Sequence, residues 1–493
     1  MTTPLKPRLP RGFEDANGPG LDLQNRIITI LSEVYARYGF DRLTTPAIEF
    51  ADALGKFLPD QDRPNEGVFS FRDDDEQWLC LRYDLTAPLA RYVAENYERL
   101  SFPFRRFQTG SVFRNEKPGP GRFREFVQFD ADTVGSANMA ADTEFCMLVA
   151  DALEALGLNR GDYAIKINNR KVLNGILECA GIAPGAEGDM QRLTVLRAMD
   201  KLDRLGVEGV RMLLGKGRKD ESGDFTKGAG LEPQAIDRIV SFLQAGTSTA
   251  NDVCSELSHL VEGSAQGQEG VAELSTMRDL LTAARYQADR VRIDPSVVRG
   301  LAYYTGPVFE AELTFEIKDE DGRAVRFGSI GGGGRYDDLV ERFLGKKVPA
   351  TGVSIGVSRL AAALKAKGLA GGAQSEGPVV VLVLDRDQLP GYQAMVSELR
   401  GHGVRAELYL GEAGMKAQMK YADRRGAPLI VIEGSNERAS GQLTIKDLRL
   451  GAKLSADIAS REEWAKAKDG QQWTITRSDL VNNIKAKLGA TGA

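Results

Sequence analysis

The sequence predicts an α+β domain built on an antiparallel sheet, interrupted by a helical insertion and followed by a separate α/β domain. Three observations carry this expectation. Residues 309–317 alternate, with Phe309, Ala311, Leu313, Phe315 and Ile317 on one face and Glu310, Glu312, Thr314 and Glu316 on the other, the period of a strand with one buried face. From about Val172 to Arg290 the pattern turns helical and polar, with Gly-rich interruptions at 214–230 and 262–270. The run PVVVLVL at 378–384 does not alternate; a helical stretch, VRAELYL, a second helix and PLIVIEG follow it, as in mainly parallel strands buried on both faces.

At 493 residues the chain exceeds what one core organises, so several domains are expected. The boundaries fall at 1–171 and 291–365 for the two parts of the sheet domain and at 172–290 for the insertion. The α/β domain then spans 378–493, joined by the small, polar linker AKGLAGGAQSEG at 366–377. Hydrophobic residues at 42% and charged residues at 27% are ordinary for a globular protein, and no run approaches the ~18 apolar residues of a membrane span. The opening MTTPLKPRLPRGFED lacks the apolar core of a secretion signal, so a cytoplasmic protein is expected. Cys80, Cys146, Cys179 and Cys254 are isolated in sequence and read as small buried hydrophobes rather than a disulfide framework or a zinc site. His259 and His402 are the only histidines, and neither stands in a catalytic or metal-binding motif, so no metal ligand set is expected.

Before the sheet, Leu23, Ile27, Leu31, Val34 and Tyr38 recur at three-and-four spacing, an amphipathic helix over 21–39 that Gly39 can end. Pro46 then sits in an extended segment, tolerable at an edge or a bulge. After the alternating strand at 309–317, Asp321-Gly322 is hairpin chemistry leading to a second extended run.

The segment FRNEKPGPGRFREFVQFDADTVG, 113–135, puts Arg114, Arg122 and Arg124 around a glycine-proline turn and sets Asp132 four residues past Gln128. Arginine suits phosphate, because its planar fork grips two oxygens and never loses its charge. Upstream, LRYDLTAPLARY places Asp84 and Thr86 two apart, where a carboxylate and a hydroxyl can receive an ammonium group; a helix-capping role is the alternative for Asp84. GSIGGGGRYDDLV, 328–340, lies too far from a βαβ unit to be a dinucleotide fingerprint, and reads either as close backbone approach to a ligand or as a flexible hairpin tip. Near the end, Lys416, Lys420 and Arg424 align on one helix face, while the net charge of −5 does not by itself announce nucleic acid. Lys216, Arg218 and Lys219 read as a solvated loop, with contact to RNA as the alternative.

Together these segments resemble the class II aminoacyl-tRNA synthetases and, through Gln128/Asp132, the LRYDLT segment and VVRGLAYYTGPVFE at 297–310, the histidyl family. The likeness spans PRGFED near the start, motif 2 at 113–135, motif 3 at TGVSIGVSRL, and MKAQMKYADRRGAPLIVIEG near the end, which is similar to the family's anticodon-binding domain. It implies ATP-dependent attachment of histidine to tRNA(His) through histidyl-adenylate, with magnesium accompanying ATP. The helix and Pro46 strand resemble motif 1, which in this class lies at a dimer interface, so a homodimer is implied. By resemblance Arg299 bridges the substrate carboxylate and the α-phosphate, and Arg114 and Gln128 complete the catalytic set. Asp84, Thr86, Gln128, Asp132, Tyr303, Tyr304 and Tyr336 bind histidine, with Asp132 and Tyr304 reading the two imidazole nitrogens. Arg114, Arg122, Phe126, Arg299 and Arg359 bind ATP, and Lys416, Lys420 and Arg424 contact tRNA. Ala302 departs from the acid that many members carry. Two rivals share parts of this pattern: the noncatalytic regulatory paralogue of histidine synthesis, which erodes the arginines and lacks the terminal domain, and class II synthetases for proline, threonine or glycine, which lack Arg-Gly-Leu-x-Tyr-Tyr.

Overall fold

A computed structural model describes residues 5–54, 67–118, 123–219, 223–245, 252–298, 300, 303–318, 324–370, 377–449 and 471–489. Asp321-Gly322, Arg122, Arg299, Ala302 and residues 371–376 of the 366–377 linker lie outside the described residues. The chain divides into two compact units, 1–371 and 372–493.

The first unit is built on an eight-stranded sheet. Its strands are β1 (Asp41–Arg42), β2 (Phe104–Phe113), β3 (Glu125–Val134), β4 (Tyr163–Asn169), β5 (Val291–Ile293), β6 (Pro307–Lys318), β7 (Ala324–Arg335) and β8 (Ala350–Gly356), in the spatial order β1-β2-β3-β8-β7-β6-β4-β5. All the inner pairings are antiparallel; only the outermost pairs, β1 with β2 and β5 with β4, are parallel. The alternating segment forms β6, with Phe309, Ala311 and Leu313 buried.

One face of this sheet is apolar. Helix α1 (Gly18–Arg37) buries Leu23, Ile27, Leu31 and Val34, and the Tyr35 ring stands edge-on to Phe129 of β3 at 4.9 Å. Gly39 ends this helix at φ +80°, a conformation that costs glycine nothing. Helices α3 (Met139–Ala155) and α4 (Val357–Ala366) complete the shell, sharing with α1 the core that holds Phe129 and Ala131, whereas α2 (Thr86–Glu95) packs Leu89, Ala90 and Val93 in a separate cluster with Val134 and Tyr336. Because successive strand residues face opposite ways, Phe129 and Ala131 in the core put Gln128, Asp130 and Asp132 on the other face. Pro46 sits between β1 and a second short strand, Ile48–Phe50, where no ladder bond is asked of it.

The glycine run forms the C-terminal part of β7, not a hairpin tip. Gly331, Gly332 and Gly333 pair with β6 on one side and with Ile355, Ser354 and Val353 of β8 on the other. A Cβ at Gly333 would strike the Gly352 carbonyl and the Phe309 ring, so glycine is required by the close approach of these strands.

Among the described residues, 170–283 contribute six helices: Arg170–Cys179, Ala186–Met199, Leu202–Leu214, Pro233–Gln244, Val253–Leu260 and Ala265–Ala283. Val172, Leu173, Leu274 and Met277 from them belong to the same hydrophobic cluster as the sheet's helical face. Lys171 ties the first helix to the last through Glu269 and Glu273, both at 2.6 Å. The expected solvated loop around Lys216, Arg218 and Lys219 is instead a two-stranded ribbon, Gly217–Lys219 with Phe225–Lys227, although Lys216 and Lys219 remain exposed.

In the second unit, strands β9 (Val379–Val381), β10 (Ala406–Leu408) and β11 (Leu429–Ile432) pair in parallel, while β12 (Gln442–Asp447) and β13 (Gln472–Thr476) add antiparallel partners, in the order β10-β9-β11-β12-β13. The mainly parallel expectation therefore covers three of the five strands. Leu443 and Ile445 of β12 point into the core cluster that packs helix α5 (Leu389–Gly401), a period-2 signal unlike the continuous run at 378–384.

Candidate active site

The polar face of the eight-stranded sheet carries a cavity of about 390 Å³. Asp84, Thr86, Arg114, Gln128, Tyr303, Tyr304 and Arg359, all expected site residues, line it. They arrive from four places: the start of α2, the β2–β3 hairpin, the segment before β6, and the first turn of α4. Gly300 also lines the cavity; at φ +66° it lies against the Tyr304 ring, which a Cβ would strike. Arg122 and Arg299 lie outside the described residues.

Asp84 both caps and faces the cavity. Its Oδ1 accepts from the backbone N–H groups of Thr86 and Ala87 at 3.0 and 2.9 Å, which fixes the carboxylate at a helix N-terminus. Arg114 is held between aromatic faces, 4.5 Å from the Tyr83 ring centroid and 5.1 Å from that of Phe126. Phe126 does not line the cavity; it orients an arginine that does. Arg359 donates from Nη2 to the Phe327 carbonyl at 2.6 Å. The Tyr303 and Tyr304 rings meet edge to face at 5.1 Å, and Tyr336 lies 5.4 Å from Tyr303. Burial, then the nearby Asp84 charge, pushes the Tyr303 hydroxyl well above its usual range, so it stays protonated and able to donate.

Asp132 and Tyr336, expected among the residues that touch histidine, do not line the cavity. Cross-strand register explains why. Asp132 stands opposite Arg106 of β2 and Gly352 of β8, and its Oδ2 lies 2.7 Å from the Arg106 guanidinium, both groups nearly inaccessible. The Tyr336 hydroxyl donates to its other oxygen. In this ligand-free structure Asp132 thus holds a buried ion pair and a phenol, on the same strand face as Gln128 and Asp130. Burial raises its pKa, and Arg106 and the Tyr336 hydrogen bond oppose the rise.

Asp130 is the residue that sequence reasoning passed over. It lines the cavity with 2% of its surface accessible, and its Oδ1 has no hydrogen-bond partner among the described residues. Its cross-strand neighbours are Gln108, whose amide is turned to the Thr45 hydroxyl, and Ser354; neither carries charge. Burial pushes its carboxyl up to about 7, with Arg106 and a Ser354 hydrogen bond opposing and the Asp132 and Asp84 charges adding. The signal was available, because Asp130 shares the strand face of Gln128 and Asp132 at spacing two. Gln128, flanked by Gly110 and Gly356, keeps its Oε1 without a partner among the described residues. Among those residues no group of three or more His, Cys, Asp or Glu gathers at metal-binding spacing.

In the second unit Lys416, Lys420 and Arg424 are exposed on α6 (Met415–Arg424), while Gln418 and Ala422 face inward. His259 and His402 are both exposed; His402 caps α5 and its Nδ1 lies 2.9 Å from the Glu398 carbonyl oxygen.

Residues 12–360 match the family model described as histidyl-tRNA synthetase, and residues 378–487 match that of the anticodon binding domain. The histidine–tRNA ligase of Brucella ovis is 59% identical over 488 residues, covering 99% of this chain and 97% of that one. That of Methylocella silvestris is 58% identical over 491 residues, 98% of each. Among solved structures, histidyl-tRNA synthetase from Nostoc sp. PCC 7120 superposes with a TM-score of 0.71 at 29% identity, covering 98% of this chain and 100% of that chain. By sequence along its whole length and by fold, this chain belongs to the histidyl-tRNA synthetase family.

Proposed function

We propose that the cavity holds histidine and ATP together and that its residues divide the work of histidine–tRNA ligation as follows. The observation that carries this reading is the gathering of carboxylate, amide, phenol and guanidinium groups on one wall system: Asp84 and Thr86 for the α-amino group, Gln128 for the substrate carboxylate, Tyr303 and Tyr304 for the ring, Arg114 and Arg359 for the phosphates. A carboxylate oxygen of histidine attacks the α-phosphorus, the bond to the bridging oxygen breaks, and pyrophosphate leaves. The terminal ribose hydroxyl of tRNA then attacks the activated carbonyl and releases AMP. Little covalent help is needed; the gain comes from alignment and from neutralising charge on phosphate. Arg299 is assigned, from its Arg-Gly-Leu-x-Tyr-Tyr segment, to bridge carboxylate and α-phosphate, with Arg122 joining the nucleotide contacts. Magnesium enters as part of the nucleotide substrate.

We assign 1–171 and 291–365 to the catalytic domain, 172–290 to the helical insertion, and 378–493 to the anticodon-binding domain, with Lys416, Lys420 and Arg424 on tRNA phosphates. A cytoplasmic homodimer is the working state. The test is exchange of labelled pyrophosphate into ATP, run with each amino acid in turn. Exchange with histidine alone is the expected result. Exchange with proline, threonine or glycine would overturn the specificity, and none with any amino acid would favour the noncatalytic regulatory role.

A further inference from the structure

The acidic row on β3 holds more charge than the site assignments use. Gln128, Asp130 and Asp132 share one strand face, spaced about 6.8 Å apart along the strand. Asp132 is ion-paired with Arg106 and accepts a hydrogen bond from Tyr336. Asp130 is buried, lines the cavity, and leaves Oδ1 unpartnered among the described residues. Leaving such a group without a partner is costly, so a partner arriving with substrate is the simplest account of it.

We propose that Asp130 is a second anionic contact for the α-ammonium of histidine, forming with Asp84 a two-carboxylate receptor on the cavity wall. The inference rests on the cavity being the histidine site, as argued above. Its choice of ligand group follows from position and charge. Asp130 lies next to Gln128, and the ammonium is bonded to the same carbon as the carboxylate that Gln128 receives. The imidazole ring lies farther out and is mostly neutral at pH 7, whereas the ammonium is a full cation. Asp84 and Asp130 are near enough that the charge of one opposes ionisation of the other, and a cation between them removes that conflict. The groups around Asp130 are Arg106 and Ser354 on neighbouring strands, Asp132 on its own strand, Asp84 before α2, Arg82 below and Tyr35 from α1. With the carboxyl raised by burial in the free protein, binding of the ammonium favours the carboxylate and expels the residual proton to solvent.

The substitution is D130N, which keeps shape and removes charge. In pyrophosphate exchange the KM for histidine rises roughly ten- to a hundredfold, the range of a lost charged hydrogen bond, while the KM for ATP stays within about twofold. Inhibition separates the group being read. Histidinol, which keeps the ammonium, weakens against D130N, while imidazolepropionate, which lacks it, does not. Calorimetry in two buffers of different ionisation enthalpy gives less proton release on histidine binding for D130N than for the wild-type protein. Equal weakening of both inhibitors overturns the assignment to the ammonium, and an unchanged histidine KM overturns any contact. A rise in ATP KM matching that for histidine marks general damage and equally overturns the specific role. If the wild-type protein itself shows no histidine-dependent exchange, the reading of the cavity fails, which is distinguishable because it does not involve the variant.

Discussion

Three side chains on one strand face, Gln128, Asp130 and Asp132, meet different fates because their cross-strand neighbours differ. Glycines flank Gln128, uncharged side chains flank Asp130, and an arginine stands against Asp132. Spacing along the strand told which residues share a face. It did not tell which carboxylate is already paired, since Arg106 reaches Asp132 through sheet register and lies 26 positions away in the chain. Two predictions follow at this scale. Asp132→Ala strands a buried guanidinium and is expected to cost about 3–5 kcal/mol in urea unfolding; a loss below about 1 kcal/mol would show that the pair is not buried as described. Asp130 acts in the opposite sense. Its carboxyl rises from 3.8 to about 7, so the folded protein keeps a proton that the unfolded chain has released. That retention stabilises the fold at acid pH and is lost as pH climbs from about 4 to about 7. Ligand-free D130N should therefore lose less melting temperature between pH 5 and pH 8 than the wild-type protein does. Asp142, raised to about 6, contributes alike in both proteins and cancels from the comparison. Identical pH slopes would contradict the burial cost assigned to Asp130.

Among elements, those with strong periodicity could be read in advance. The α1 helix, the alternating strand β6 and the apolar run at 378–384 each repeat one pattern long enough to be unambiguous. Elements fixed by partners could not. The two-residue β1 exists only because it pairs with β2, and the ribbon at 217–227 lies where glycines suggested a loop. The glycine run supported either a ligand-hugging strand or a mobile tip, and tight packing of β7 between β6 and β8 decided for the strand. The same crowding yields a prediction for β8. A Cβ at Gly352 would meet the Asp132 carboxylate, with the Ala131 carbonyl 2.7 Å away. Gly352→Ala should cost roughly 1–3 kcal/mol, read as a lower urea midpoint, together with weaker histidine binding. An unchanged midpoint would mean that the strands have slack the distances deny.

At the scale of the molecule, the order of segments along the chain carried the family likeness, and the family assignment rests on matches over nearly its full length. Charge did less: a net −5 hides a basic stripe on α6 that faces solvent. Replacing Lys416, Lys420 and Arg424 together by Ala should leave histidine-dependent pyrophosphate exchange within about twofold, because none of them lines the cavity. Aminoacylation should show a higher KM for tRNA, and the log-log salt dependence of binding should become shallower by about 2. If tRNA binding and its salt slope do not change, the stripe is only a solvated face.

The most direct measurement is a crystal structure of the full chain with a non-hydrolysable histidyl-adenylate analogue. The account predicts the analogue on the polar face of the eight-stranded sheet, with its ammonium between Asp84 and Asp130, its carbonyl end at Gln128, its phosphate surrogate within reach of Arg114 and Arg299, and its ring beside Tyr303 and Tyr304. An analogue bound with its ammonium turned away from both carboxylates, or seated off this sheet, would contradict it.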